Sequence, residues 1–239
     1  MLAGACENSY SKIAVDVYEP HVRCLGTIAV VHGMAPKGKN DPRVIALCQA
    51  FSHAGYRVLA PDIESIRSLC IDAEQINLIG EMLAAFADNE AWCPTGRLSV
   101  LAPSFSGAMC LAAAALPQVE DKIISVCAIG AFTHVESVMA YLLTDSTADP
   151  YGRYIVLKKI IPLVTEASVV EHRASLEQAI EAMIQDNLNQ TAALYANQQM
   201  LDQCMASMST EEKGMVARVL EDVSFRALMF ESAKIAMAE

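Results

Sequence analysis

The chain has 239 residues, and 54% of them are apolar. With a mean hydropathy of +0.30, it can bury a sizeable core, which excludes a disordered chain. It carries 17 Lys and Arg against 28 Asp and Glu, a net charge of −11, and such a surface repels phosphate and argues against a nucleic-acid or anionic-membrane partner. No apolar run approaches the roughly 18–20 residues that span a bilayer. The N-terminus lacks a basic stretch followed by an apolar one, so no secretory leader is expected and the chain reads as soluble and cytoplasmic.

Nine of the eleven glycines and seven of the nine prolines precede residue 135. Frequent turns are therefore expected over 1–134, and long helices over 135–239. In chain order, residues 13–18 alternate as a half-buried strand does, and 25–31 read as a strand buried on both faces. A loop over 32–40 follows. Asp41 and Pro42 then serve as N-cap and first residue of a helix that stops at Gly55. Residues 57–61 form the next strand. Asp72 and Gln75 make an approximate capping box for a helix with Ile76, Ile79, Leu83 and Phe86 on one face. A strand at 98–102, a helix at 105–116 and a strand at 122–131 complete the first part. Such alternation predicts an α/β fold, a mostly parallel sheet with helices on both faces.

Beyond residue 135 only helices are expected, at 136–144, 154–164, 170–185, 190–205 and from Ser209 onward. The last opens on a capping box, Ser209-Thr210-Glu211-Glu212, and has no strong stop before residue 239. Residues 154–157 could also be a strand by composition. Eight cysteines, none closer to another than seventeen residues, offer neither CxxC nor zinc spacing. They read as small buried hydrophobes, Cys127 among them, in a reducing compartment. No metal or cofactor is expected.

In an open parallel sheet, ligands bind outside the carboxyl ends of the strands. Two loops at that edge carry candidate chemistry, Val30-Val31-His32-Gly33-Met34 and Leu101-Ala102-Pro103-Ser104-Phe105-Ser106-Gly107-Ala108. A serine at the apex of a tight strand-to-helix turn needs small residues two places to either side. Ser104 meets this with Ala102 and Ser106. Ser106 meets it with Ser104 and Ala108, but stands four residues past the last clear strand position. Ser104 is the preferred apex and Ser106 the alternative.

These segments, with Gly55-Tyr56-Arg57-Val58-Leu59-Ala60-Pro61-Asp62, resemble the α/β-hydrolase family over roughly residues 25–135. Ala102 and Ser106 stand where the family's G-x-S-x-G pattern has glycine. The resemblance implies an incomplete α/β-hydrolase-like core over 1–134 and a helical cap-like region over 135–239. It implies a serine hydrolase acting on a carboxylic ester or related acyl substrate, with Ser104 as nucleophile. The backbone N–H groups of Phe105 and Met34 would form an oxyanion hole, with His32 and Gly33 shaping its loop. The family's acid and histidine follow its last two strands, and neither strand is read here; the chain is expected to stop within or just after the cap. An alternative is therefore a non-catalytic or truncated relative that binds a small ligand or a protein partner, with self-association through an exposed sheet edge or the cap.

His134, with Glu136 two residues on, is an improvised base candidate. His172 reads as a solvated surface residue, His21 and His53 as surface or packing residues, and Asp62 as a loop-organising carboxylate. Lys37-Gly38-Lys39 is a solvated loop or a site for an anionic substrate group. The methionines beyond residue 135 read as core or cap lining. A doubly wound nucleotide-binding protein is a weaker alternative, since G-x-G-x-x-G and G-x-x-x-x-G-K-[ST] are both absent.

Overall fold

The computed structural model describes residues 2–7, 12–190 and 199–238. The chain divides into two compact units, Met1–Thr133 and His134–Glu239.

The first unit is a six-stranded sheet. Its strands are β1 (Leu2–Glu7), β2 (Lys12–Tyr18), β3 (Gly26–Val30), β4 (Tyr56–Pro61), β5 (Leu98–Pro103) and β6 (Ile123–Ile129), in the order β1-β2-β4-β3-β5-β6. β3, β4, β5 and β6 are parallel, and β1 and β2 join antiparallel at one side. The helices are α1 (Pro42–His53), α2 (Glu64–Arg67), α3 (Glu74–Asp88) and α4 (Ser104–Ala113).

Successive strand residues face opposite sides of a sheet, and here both sides are buried. Ile28 and Val30 of β3, Val58 and Ala60 of β4 and Leu101 of β5 pack with Cys48, Val44, Leu47 and Phe51 of α1. Ala29, Leu59, Val100 and Ala102 turn the other way, into a core with Ile79, Met82, Leu83 and Phe86 of α3 and Met109 and Cys110 of α4. This two-sided burial is why β3 reads as a nearly unbroken apolar run.

Helix ends follow the expected chemistry. The Arg43 N–H donates to Asp41 Oδ1 at 2.9 Å, Pro42 opens α1, and Gly55 ends it at φ +100°. At the start of α3, Asp72 Oδ1 accepts from the Glu74 N–H and Gln75 Oε1 accepts from the Asp72 N–H, at 3.0 and 3.2 Å.

Two elements were not expected, β1 and α2. The reading of the cysteines needs correction: Cys24, Cys70 and Cys127 are exposed and Cys204 is half-buried, whereas Cys48, Cys93 and Cys110 are buried. Among the described residues β6 pairs only with β5, and Ile124 and Ile129 are also exposed on it.

The second unit contains α5 (Val135–Thr144), α6 (Pro150–Ile160), α7 (Ala167–Glu171), α8 (Arg173–Gln190), α9 (Gln199–Ala206), α10 (Thr210–Glu221) and α11 (Val223–Ala238). No strand occurs in it among the described residues, and residues 154–157 are helical. α6 begins earlier than expected because Asp149 accepts from the Tyr151 and Gly152 N–H groups. The helix expected over 170–185 splits at His172, whose Nδ1 bonds the Ser168 carbonyl at 2.9 Å. Part of the helix expected over 190–205 lies outside the described residues. The final stretch is not one helix. It breaks at Asp222, whose Oδ1 accepts from the Phe225 N–H at 3.0 Å and starts α11. Ser209 and Glu212 form the expected capping box, with bonds of 3.2 and 2.7 Å.

Candidate active site

β5 runs into α4 with no intervening loop, and Ser104 is the first helical residue. Its φ is +50°, a left-handed conformation that costs a non-glycine residue roughly 1–2 kcal/mol. Among the described residues only Leu69 also has a positive φ without being glycine. Pro103 before it is extended, at φ −91° and ψ 155°, and no side chain caps α4. First-turn N–H groups of a helix have no intrahelical acceptor, so α4 presents uncapped donors beside an exposed serine.

The turn closes because its neighbours are small. Ala102 and Ser106 are fully buried. A Cβ on Gly107 would stand 2.9 Å from the Ala102 carbonyl oxygen and 3.1 Å from Ala131 Cβ. The strictest demand for a glycine therefore falls one residue beyond the G-x-S-x-G position. Ser106 is not the apex; its Oγ donates to the His32 carbonyl at 2.6 Å.

His32 is 1% exposed and follows β3, the neighbour of β5 in the sheet. Its Nδ1–H donates to the Gly33 carbonyl at 2.9 Å, and its Nε2 accepts the Ile63 N–H at 3.1 Å. Together these bonds require the neutral Nδ1–H tautomer. Burial pushes its pKa below the ordinary histidine value; the Gly33 carbonyl and Asp62 oppose the fall, and Arg67 adds to it. Asp62 Oδ1 lies 3.9 Å from His32 Nε2 and 3.6 Å from Arg67 Nε. Gly38, at φ +51°, fits over this cluster because a Cβ there would stand 2.7 Å from Asp62 Oδ1.

The two lysines of the basic loop differ. Lys39 Nζ pairs with Asp16 Oδ2 of β2 at 2.7 Å, both side chains being 12% exposed. That ammonium is largely buried in its ion pair, whereas Lys37 is exposed, as in a solvated loop.

Phe105 is buried, its ring 6.1 Å from that of Phe132, and its N–H lies in the first turn of α4. Gly33 lies against the Pro103 ring, 3.4 Å from where a Cβ would stand. Met34 is half-buried against the core of the α3 and α4 side. His21 and His53 stack edge to face at 6.0 Å. His21 follows the C-terminal end of β2 and His53 is the last residue of α1, which places them at the sheet edge opposite Ser104.

His134 is the N-cap of α5 in the second unit. Its Nδ1 accepts from the Ser137 N–H at 3.2 Å. Glu136 pairs with Lys234 at 2.9 Å, and that hydrogen bond holds its carboxyl below the usual carboxylate range. His172 is half-buried rather than solvated. Among the described residues no group of three or more His, Cys, Asp or Glu is arranged to hold a metal ion, and no helix is long and apolar enough to cross a membrane.

A mostly parallel sheet covered on both faces, with a left-handed serine at a strand-to-helix turn, gives the first unit an α/β-hydrolase-like fold. No family model and no curated protein matches the chain. Several solved structures are similar to it. A dienelactone hydrolase from Anabaena variabilis is 18% identical, over 54% of this chain and 62% of its own, with a TM-score of 0.44. An α/β serine hydrolase without lid from Xanthomonas campestris is 21% identical, over 52% and 59%, with a TM-score of 0.40. A proline iminopeptidase from Mycobacterium smegmatis is 12% identical, over 97% and 69%, with a TM-score of 0.46. The chain thus spans about three fifths of the length of the first two.

Proposed function

We propose that the protein is a serine hydrolase acting on a carboxylic ester or related acyl substrate through Ser104. The observation that carries this reading is the Ser104 turn itself: an exposed hydroxyl held at φ +50° beside the uncapped start of α4. Backbone strain of this kind persists only where the surroundings over-determine it, and it clusters at active sites. Ser104 Oγ would attack the substrate carbonyl, and its proton would pass by way of a general base to the alkoxide that leaves. The negative charge formed on the carbonyl oxygen would be met by the Phe105 N–H, with the Met34 N–H as second donor. Collapse would expel the alcohol and leave an acyl-serine, which water then hydrolyses.

A serine hydroxyl needs a base. His32 is not that base, because Nδ1 is donated to Gly33 and Nε2 is occupied by the Ile63 N–H. The same engagement favours a second reading, a non-catalytic relative whose cleft holds a small ligand or a protein partner without turnover.

A fluorophosphonate probe separates the two. Wild type is expected to be labelled, and Ser104→Ala to lose labelling by a hundredfold or more; equal labelling of both removes Ser104 as nucleophile. Absence of both labelling and ester turnover in wild type supports the binding reading.

A further inference from the structure

Ser106 stands where the G-x-S-x-G pattern has a glycine, so its side chain is the departure to explain. β3 and β5 are parallel neighbours whose ladder runs out where β5 becomes α4. The bond from the Val31 N–H to the Leu101 carbonyl, at 2.9 Å, lies at this end. One residue further the β3 strand has ended, and the donor that the His32 carbonyl receives comes from a side chain. A buried carbonyl without a donor is costly. Ser106 Oγ, 0% exposed, supplies that donor at 2.6 Å. A glycine could not.

The consequence reaches the turn that faces Ser104. His32 is then held at three points: its carbonyl by Ser106, its Nδ1–H by the Gly33 carbonyl, and its Nε2 by the Ile63 N–H. In a trans peptide the C=O and N–H point in opposite directions. Fixing the His32 carbonyl therefore fixes the plane carrying the Gly33 N–H, and fixing the Gly33 carbonyl fixes the plane carrying the Met34 N–H. One hydroxyl on the helix that begins at Ser104 ties that helix to the whole 32–34 turn.

We infer that Ser106 is a positioning residue: its buried hydroxyl pins the His32 carbonyl and sets the 32–34 turn against the start of α4 for chemistry at Ser104. This rests on the hydrolase reading given above. Misplacing such a turn by about 1 Å costs on the order of a hundredfold in rate.

The test compares wild type with Ser106→Ala, using Ser106→Gly as a second variant in case alanine does not fold. Fluorophosphonate labelling across probe concentrations separates the maximal inactivation rate from the apparent affinity. The rate is expected to fall ten- to a hundredfold while the affinity changes less than threefold; an unchanged rate overturns the proposal. Amide hydrogen exchange at Gly33 and Met34 is measured on the same proteins and needs no activity. Exchange there is expected to rise at least tenfold in the variant, with α1 and α3 unaffected, and equal exchange overturns the pin. If wild-type Ser104 proves unreactive, the hydrolase reading fails on its own, and the exchange measurement still decides whether Ser106 holds the turn.

Discussion

The two units use buried polar groups for different ends. In the sheet unit several polar groups lie where β3 and β5 end, while Thr27 and Ser52 are buried elsewhere on the carbonyls of Trp92 and Glu19. His32, Ser106 and the Asp62–Arg67 pair surround the loop beside Ser104, and Lys39–Asp16 anchors its far end. In the helical unit they close helix termini. Arg226, 3% exposed, donates to the carbonyls of Leu143 near the end of α5 and of Val219 and Leu220 near the end of α10. Asp186, equally buried, accepts the Met200 and Leu201 N–H groups in the first turn of α9. A cation at helix C-termini and an anion at a helix N-terminus match the partial charges there. In the first unit polar groups and backbone strain meet beside Ser104, the residue proposed to react; in the second, polar groups at helix ends hold packing together.

The largest expected effect tests the second half of that contrast. Arg226→Ala leaves three carbonyls at helix ends without their donor, and charge-assisted bonds of this sort are worth about 1.5–3 kcal/mol each net of water. A loss of about 3 kcal/mol is expected for the helical unit, measured by urea unfolding followed by far-UV circular dichroism. The fluorescence of Trp92, the single tryptophan and a residue of the sheet unit, should keep its wild-type midpoint. A loss below 1 kcal/mol would remove Arg226 as the group that joins α5, α10 and α11.

The first half is sharpened by Ser104→Gly. If the serine is held in a conformation it disfavours, glycine relieves the strain, and the sheet unit should gain about 1 kcal/mol while labelling is lost. The Trp92 unfolding midpoint reads the gain. A variant less stable than wild type would mean that the turn is not strained and that the case for Ser104 as a selected geometry fails.

Much of this contrast can be read in the residues, and its limits have physical causes. Gly and Pro punctuation, with apolar runs of strand length, locates β2 to β6 and α1, α3 and α4, because those signals are local. β1 escapes because Leu2-Ala3-Gly4-Ala5-Cys6-Glu7 has little strand propensity of its own and is a strand through its pairing with β2. The four residues of α2 are too few to show a period. Exposure along β6 is invisible because position within a sheet is a tertiary property; its apolar composition alone suggests burial. The break at Asp222 had a local signal, an Asp three residues before Phe225, but no glycine or proline draws attention to it. At the site, the spacing of small residues points to Ser104 as the apex. The same spacing treats Ser106 as merely small, and only its contact with His32, 74 residues away in sequence, gives its hydroxyl a role.

Acid separates the units least strongly but most directly. His32 has a folded pKa below its ordinary value near 6.5 because it is buried in the neutral form. The unfolded imidazole therefore takes a proton that the folded one refuses, and its contribution to stability, full above about pH 6.5, declines as pH falls through the interval down to the folded pKa. Glu212 behaves as an anchored carboxylate. Hydrogen bonds from Ser175 and Ser209 bring its pKa from 4.5 down to about 2, so its contribution is full above about pH 4.5 and is lost between there and pH 2. The sheet unit, read by Trp92, should weaken first as the solution is acidified below pH 6.5. The helical unit, read by circular dichroism, should respond to Glu212 only below about 4.5. His32→Gln should flatten the first decline. Glu212→Gln, which can keep the capping box, should flatten the second and leave the first in place. If His32→Gln leaves the Trp92 profile between pH 6.5 and 5 unchanged, the buried neutral imidazole is not what ties the sheet unit's stability to pH.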